Sequence, residues 1–145
     1  VRPGLEKLER WVEQFASLDD RQERIQLLLD LADRYRELPA EVAPRPYPRE
    51  NLTPDCESQV YVFDEPLPDG TIRLRFAVEN PQGMAAKALA VLLAESLSGA
   101  PLDEVAAVSS DSVHRIFGNE LSMGKSMGLM GMVAMVRAAA RRALR

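Results

Sequence analysis

The sequence predicts an α+β fold in which a small antiparallel sheet of about three strands is flanked by N-terminal and C-terminal helices. Three observations predict it. Apolar residues recur at helical spacing over 4–38 and again over 82–144. Between them, 57–64 and 71–79 alternate with a period of two. The turn sequence Pro66-Leu67-Pro68-Asp69-Gly70 joins those two runs and makes an antiparallel hairpin of them.

Leu5, Leu8, Trp11, Val12 and Phe15 line one face of a first helix, about 4–17. Asp19 and Asp20 offer N-caps to a second, about 20–38, whose inner stripe reads Ile25, Leu28, Ala32, Tyr35 and Leu38, widened by Leu27 and Leu31. Pro39 ends it. Pro44, Pro46, Pro48 and Pro54 follow, so 39–55 is a stiff extended connector with a short edge strand near 49–53. In the first strand of the hairpin, Val60 and Val62 face one way and Tyr61 and Phe63 the other, which predicts cover on both faces. In the second, Ile72, Leu74, Phe76 and Val78 face inward and Arg73 and Arg75 outward. Pro81 introduces an Ala- and Leu-rich helix at 82–98, and Gly99 stops it. Short helices are expected at 102–108 and 111–117. A long last helix, 125–144, carries Leu129, Met132, Val133 and Val136 inward and ends in arginines that complement its dipole.

A chain of 145 residues is read as one domain, 1–145, large enough for a hydrophobic core. A net charge of −4 and the lack of a basic stripe with aromatics point away from nucleic acid. No apolar run reaches membrane-spanning length. One cysteine cannot form an intrachain disulfide, which fits a reducing compartment. The expected location is the cytoplasm, or an organelle after loss of a targeting peptide.

That cysteine, Cys56, stands where the proline-rich connector meets the first strand. It can attack, carry a group, or sit inert in the core. Pairing with the single histidine, His114, would give a thiol–imidazole couple, but His114 reads as a solvated residue on a short surface helix. One Cys and one His fall short of a zinc or iron–sulfur ligand set, so no metal or cofactor is expected. Lys125, near the start of the last helix, combines an amine with helix N-terminal amides as a candidate anion site. Met123, Met127, Met130, Met132 and Met135 crowd that helix, most of them as core filler. Gly124, Gly128 and Gly131 let another segment come close to it.

With these residues in view, the sequence resembles the SufE family, sulfur acceptors that work with cysteine desulfurases. The resemblance covers about 5–144. It rests on Cys56-x-Ser58-Gln59-Val60 followed by Tyr61, where the family usually has tryptophan; on Lys87; and on Leu121-Ser122-x-x-Lys125-x-x-Gly128-Leu129-x-x-Met132. It implies a SufE/IscU-like fold and a thiol-exchange role. Cys56 would accept persulfide sulfur from a SufS-like cysteine desulfurase, stimulate that enzyme, and deliver the sulfur to an iron–sulfur scaffold. The protein would be an accessory of sulfur transfer, not an independent enzyme. Ser58 and Gln59 would shape the cysteine loop, and Lys125 would set positive potential near the sulfur. Three departures stand out: Asp55 where the family usually has glycine, Asn80-Pro81-Gln82 in place of an acidic pair, and Lys125 in place of arginine, which keeps charge but loses the planar fork. The alternatives are a desulfurase regulator without thiol chemistry and an IscU-like cluster scaffold.

Overall fold

The computed structural model describes residues 3–54, 56–118 and 121–145. In chain order the elements are α1 (Pro3–Ala16), α2 (Arg21–Ala32), a 3-10 turn (Arg49–Asn51), β1 (Val60–Pro66), β2 (Ile72–Val78), α3 (Met84–Leu97), α4 (Leu102–Ala106), α5 (Asp111–Phe117) and α6 (Met123–Ala143). The fold is α+β, as the sequence predicts. β1 and β2 pair antiparallel from Val60↔Val78 to Pro66↔Ile72.

The sheet has two strands instead of about three. The segment near 49–53 forms the 3-10 turn and a single bridge, Leu52↔Tyr61. The outer edge of β1 is satisfied without a strand: the Asn51 side-chain amide donates to Val62 C=O at 2.8 Å. The Thr53 N–H donates to Val60 C=O, also at 2.8 Å.

α3 is the central helix. Ala88, Leu89, Leu92, Leu93 and Leu97 are sealed, and the helix packs against α1, α2 and β2. Its all-round apolar surface is that of a helix covered on most sides. Leu8, Val12 and Phe15 of α1, and Leu129, Met132, Val133 and Val136 of α6, enter the same core as the even-numbered face of the hairpin. The odd-numbered face is covered separately: Tyr61, Phe63 and Ala77 pack with Leu38 and Tyr47.

The second helix is shorter than the 20–38 that its spacing predicts. It ends at Ala32, where the Asp33 N–H closes on Leu29 C=O. Beyond it the chain swings alongside β2. The Tyr35 hydroxyl accepts the Val78 N–H at 2.8 Å, and the Leu38 N–H donates to Phe76 C=O at 3.2 Å. Tyr35 and Leu38 keep helical spacing with the residues before them, but it is the sheet edge that buries Leu38 and partly buries Tyr35. Ile25, expected inside, is 41% exposed.

Candidate functional site

Cys56 lies in a tight turn clamped on three sides. On the first, Thr53 is buried, and its methyl seats on α6 at Gly131. A Cβ on Gly131 would come within 2.9 Å of Thr53 Cγ2 and 3.4 Å of the Pro54 carbonyl oxygen. On the second, the turn joins the end of the hairpin: Asn80 N–H donates to Ser58 C=O at 3.1 Å and Glu79 N–H to Gln59 C=O at 3.2 Å. On the third, Ser58 presses on Gly83 at the start of α3, where a Cβ would lie 2.8 Å from Ser58 Oγ. The turn itself closes through Gln59 N–H on Cys56 C=O at 3.1 Å. Gln59 adopts a φ of 51°, a left-handed conformation that non-glycine residues rarely take and that reverses the chain into β1. Asp55 lies outside the described residues.

The sulfur-bearing residue is half-buried. It packs against the main core and forms the wall between two hollows. The deeper, about 240 Å3, is lined by Cys56, Ser58, Asn80, Gln82, Lys125 and Gly128, among others. The other is broader and more open, and includes Thr53, Pro54 and Gln59. Among the described residues around the deeper hollow, Lys125 is the one cation and Glu57 the one anion. Lys125 is exposed and makes no ion pair among the described residues. Its own backbone N–H is taken by the Ser122 side chain at 3.2 Å.

The structure therefore brings Cys56, Ser58 and Lys125 to one cavity and sets Gln59 at its neighbour. It does not bring His114 there: His114 is exposed on α5 and lines neither hollow. Nor does Lys87 reach the cavity; its ammonium group donates to Pro81 C=O at 3.1 Å and sits 5.7 Å from the centre of the Tyr35 ring. Asn80 and Gln82, where the resemblance marks a lost acidic pair, line the cavity as neutral amides. Gly131 admits the close approach expected of it, with the segment at Thr53 and Pro54 as the neighbour, whereas Gly83 carried no such signal because Ser58 reaches it from a distant part of the chain. The methionines divide. Met132 is sealed in the core, while Met123 and Met127 are 80% and 48% exposed at the start of α6.

A second, apolar groove adjoins the cavity and shares Met84, Ala85 and Leu121 with it. Ile25 and Leu29 of α2 complete its open side. Clustered exposed apolar side chains of this kind mark surfaces that other macromolecules cover. Among the described residues no group of three or more His, Cys, Asp or Glu is placed to hold a metal ion, and no helix is long and apolar enough to cross a membrane.

Comparison with known proteins agrees with this architecture. A solved solution structure of a hypothetical protein from Thermus thermophilus superposes with a TM-score of 0.73 at 27% identity, covering 99% of this chain and 98% of that one. No curated protein sequence matches. Residues 9–140 match the family model described as SufE, an Fe-S metabolism associated domain. With that span matched and the fold in agreement, the chain belongs to the SufE family.

Proposed function

We propose that this protein carries sulfur for iron–sulfur cluster assembly. Cys56 accepts the terminal sulfur of a persulfide held by a SufS-like cysteine desulfurase and passes it to a cluster scaffold. The observation that carries the reading is the placement of Cys56: a half-buried thiol on a clamped turn, walling a cavity that also holds an ammonium group with no ion-pair partner among the described residues. A thiol sealed in the core could not meet a partner's persulfide, and one fully in solvent would leave the product exposed to oxidants.

The chemistry is thiol exchange. The Cys56 thiolate attacks the outer sulfur of the donor's R–S–SH. A new S–S bond forms on Cys56, the donor's S–S bond breaks, and R–S⁻ leaves with the electron pair. The proton stays on the transferred sulfur, and no oxidant or reductant is consumed. Lys125 stabilises the negative sulfur on either side of the exchange. Ser58 and Gln59 hold the turn and take no part in bond changes. Clearing the persulfide frees the desulfurase for another cycle, which accounts for stimulation of that enzyme. Met84, Ile25, Leu29, Met123 and Met127 supply exposed apolar area next to the cavity for the partner to cover. A reducing compartment such as the cytoplasm keeps the thiol free.

The test is intact mass spectrometry after incubation with a cysteine desulfurase and L-cysteine. The reading expects the mass of one added sulfur, located on Cys56 and removed by a thiol reductant. Desulfurase binding without that mass gain would favour a regulator and overturn the carrier role.

A further inference from the structure

At the far end of α3 from Cys56, a separate hollow of about 270 Å3 opens between the end of α2, the free edge of β2 and α3. Among the described residues, Arg34, Arg36, Arg73 and Arg75 line it against a single acid, Glu95. The chain as a whole has a net charge of −4, so this is a local reversal of sign. The guanidinium groups are also underused. Arg34 is the most engaged: it donates to both Glu95 oxygens, at 3.0 and 3.3 Å, and lies 5.6 Å from the centre of the Trp11 ring, although the ion pair is about half exposed and open to exchange with a ligand carboxylate. Arg36 donates only to the backbone carbonyls of Asp33 and Tyr35. Arg75 reaches Glu65 only at 3.9 Å, and its buried Nε has no hydrogen-bond partner among the described residues. Arg73 makes no ion pair among the described residues.

The edge of β2 supplies the other half of the site. Glu79 N–H donates to Gln59 C=O and Leu67 N–H to Thr71 C=O, so the odd-numbered residues of β2 bond to β1. The even-numbered residues then aim their N–H and C=O groups at the outer edge. Ile72 C=O is taken by Gly99 N–H, and Phe76 C=O by Leu38 N–H. Leu74 N–H is taken by Ser98 Oγ, and Val78 N–H by the Tyr35 hydroxyl. Between these closures Leu74 C=O and Phe76 N–H have no partner among the described residues, and both residues line the hollow.

We infer that this hollow binds the carboxyl terminus of an extended peptide. The last residue's N–H donates to Leu74 C=O, and its carboxylate accepts from Phe76 N–H and from the arginine side chains. An acceptor at one residue and a donor two residues on is the spacing at which a parallel neighbour bridges a strand with a single residue. Capture of a terminal carboxylate by backbone amides and arginines is a known recognition mode. The closures at Gly99 and Leu38 leave room for one bridging residue, and the arginines around it favour a residue whose carbonyl is a carboxylate, a chain end. An inorganic anion would engage the arginines and leave Leu74 C=O unmatched.

The site shares no lining residue with the Cys56 cavity, so the two can be tested apart. The probe is acetyl-Ala-Ala-Val with a free carboxylate, titrated into the full-length, isotope-labelled protein and followed by amide NMR shifts. Its C-terminal amide and inorganic phosphate serve as the other two arms. The inference expects a saturable shift of the Phe76 amide with the free acid and binding weaker by about tenfold or more with the amide peptide. Arg73→Glu, which faces Glu65 across the hairpin and so costs some thermal stability, is expected to weaken the free acid by about tenfold in the folded protein. Cys56→Ser is expected to bind it as the parent does. A Phe76 amide that stays still at millimolar peptide overturns the inference. So does equal binding of acid and amide, an Arg73→Glu protein that binds like the parent, or phosphate moving the same resonances at the same concentration.

Discussion

Gly131→Ala should destabilise the protein even though alanine is the better helix former. Gly131 lies inside α6 (Met123–Ala143), where exchanging glycine for alanine stabilises an unconstrained helix by about 1 kcal/mol. The new Cβ, however, would stand 2.9 Å from Thr53 Cγ2, well inside the roughly 3.5–4.0 Å at which carbon atoms rest in contact. Thr53 is poorly placed to yield: it is 2% exposed, and its N–H is bonded to Val60 C=O at 2.8 Å. Overpacking at such a site costs about 1–3 kcal/mol. The balance is a net loss of about 1 kcal/mol, or roughly 3 °C in Tm for a domain of this size. Cys56 follows Thr53 closely in the chain, so the displaced seat should also slow sulfur loading. Adding Thr53→Ser removes the clashing methyl and should restore much of both, giving a coupling of about 1 kcal/mol in a double-mutant cycle. Urea denaturation and a loading time course on the four proteins measure it. If Gly131→Ala matched or exceeded the parent in stability and loaded at the same rate, the proposed seating of the turn on α6 would be wrong.

Gly83→Ala places a Cβ 2.8 Å from Ser58 Oγ and 3.1 Å from Val78 Cγ1. Denaturant titration should show a loss of about 1–2 kcal/mol. Tyr35 is held neutral by burial, with its pKa pushed up to about 12. An unfolded tyrosine ionises near 10, so the folded form binds the proton more tightly. This contribution is complete below about pH 10 and is lost as pH rises through about 12. Tyr35→Phe should reduce that alkaline slope in thermal melts, leaving the part due to Tyr47, whose phenol pKa is also raised by burial. It should also cost about 1 kcal/mol at neutral pH, because Val78 N–H loses its acceptor. Leu29→Glu, on the open side of the apolar groove, should weaken desulfurase binding by about tenfold in a direct binding assay. Loading of Cys56 from a small-molecule persulfide should be unaffected by it.

Local pattern was enough for most of the framework. The α5 helix appears at the predicted residues 111–117, and the alternation of Ile72, Leu74, Phe76 and Val78 reads directly as the inner face of β2. The misreadings have non-local causes. Tyr35 and Leu38 continue the apolar spacing of α2, yet both bond to β2, which no helical periodicity can reveal. The expected strand near 49–53 is replaced by the Asn51 side chain acting on Val62 C=O. In the site, Cys56 is conspicuous as the one thiol, and Lys125 as a charge at a helix start. The two glycines that seat the cysteine turn meet Thr53 and Ser58 only across the folded core. The role proposed for Cys56 rests on family resemblance, since a lone cysteine has several fates.

The central claim is that sulfur moves onto Cys56 itself. A desulfurase charged with labelled persulfide and freed of L-cysteine should transfer the label in a single turnover to the parent protein. Cys56→Ser should fold, bind the same desulfurase and take up none. Equal labelling of the two proteins would contradict the account.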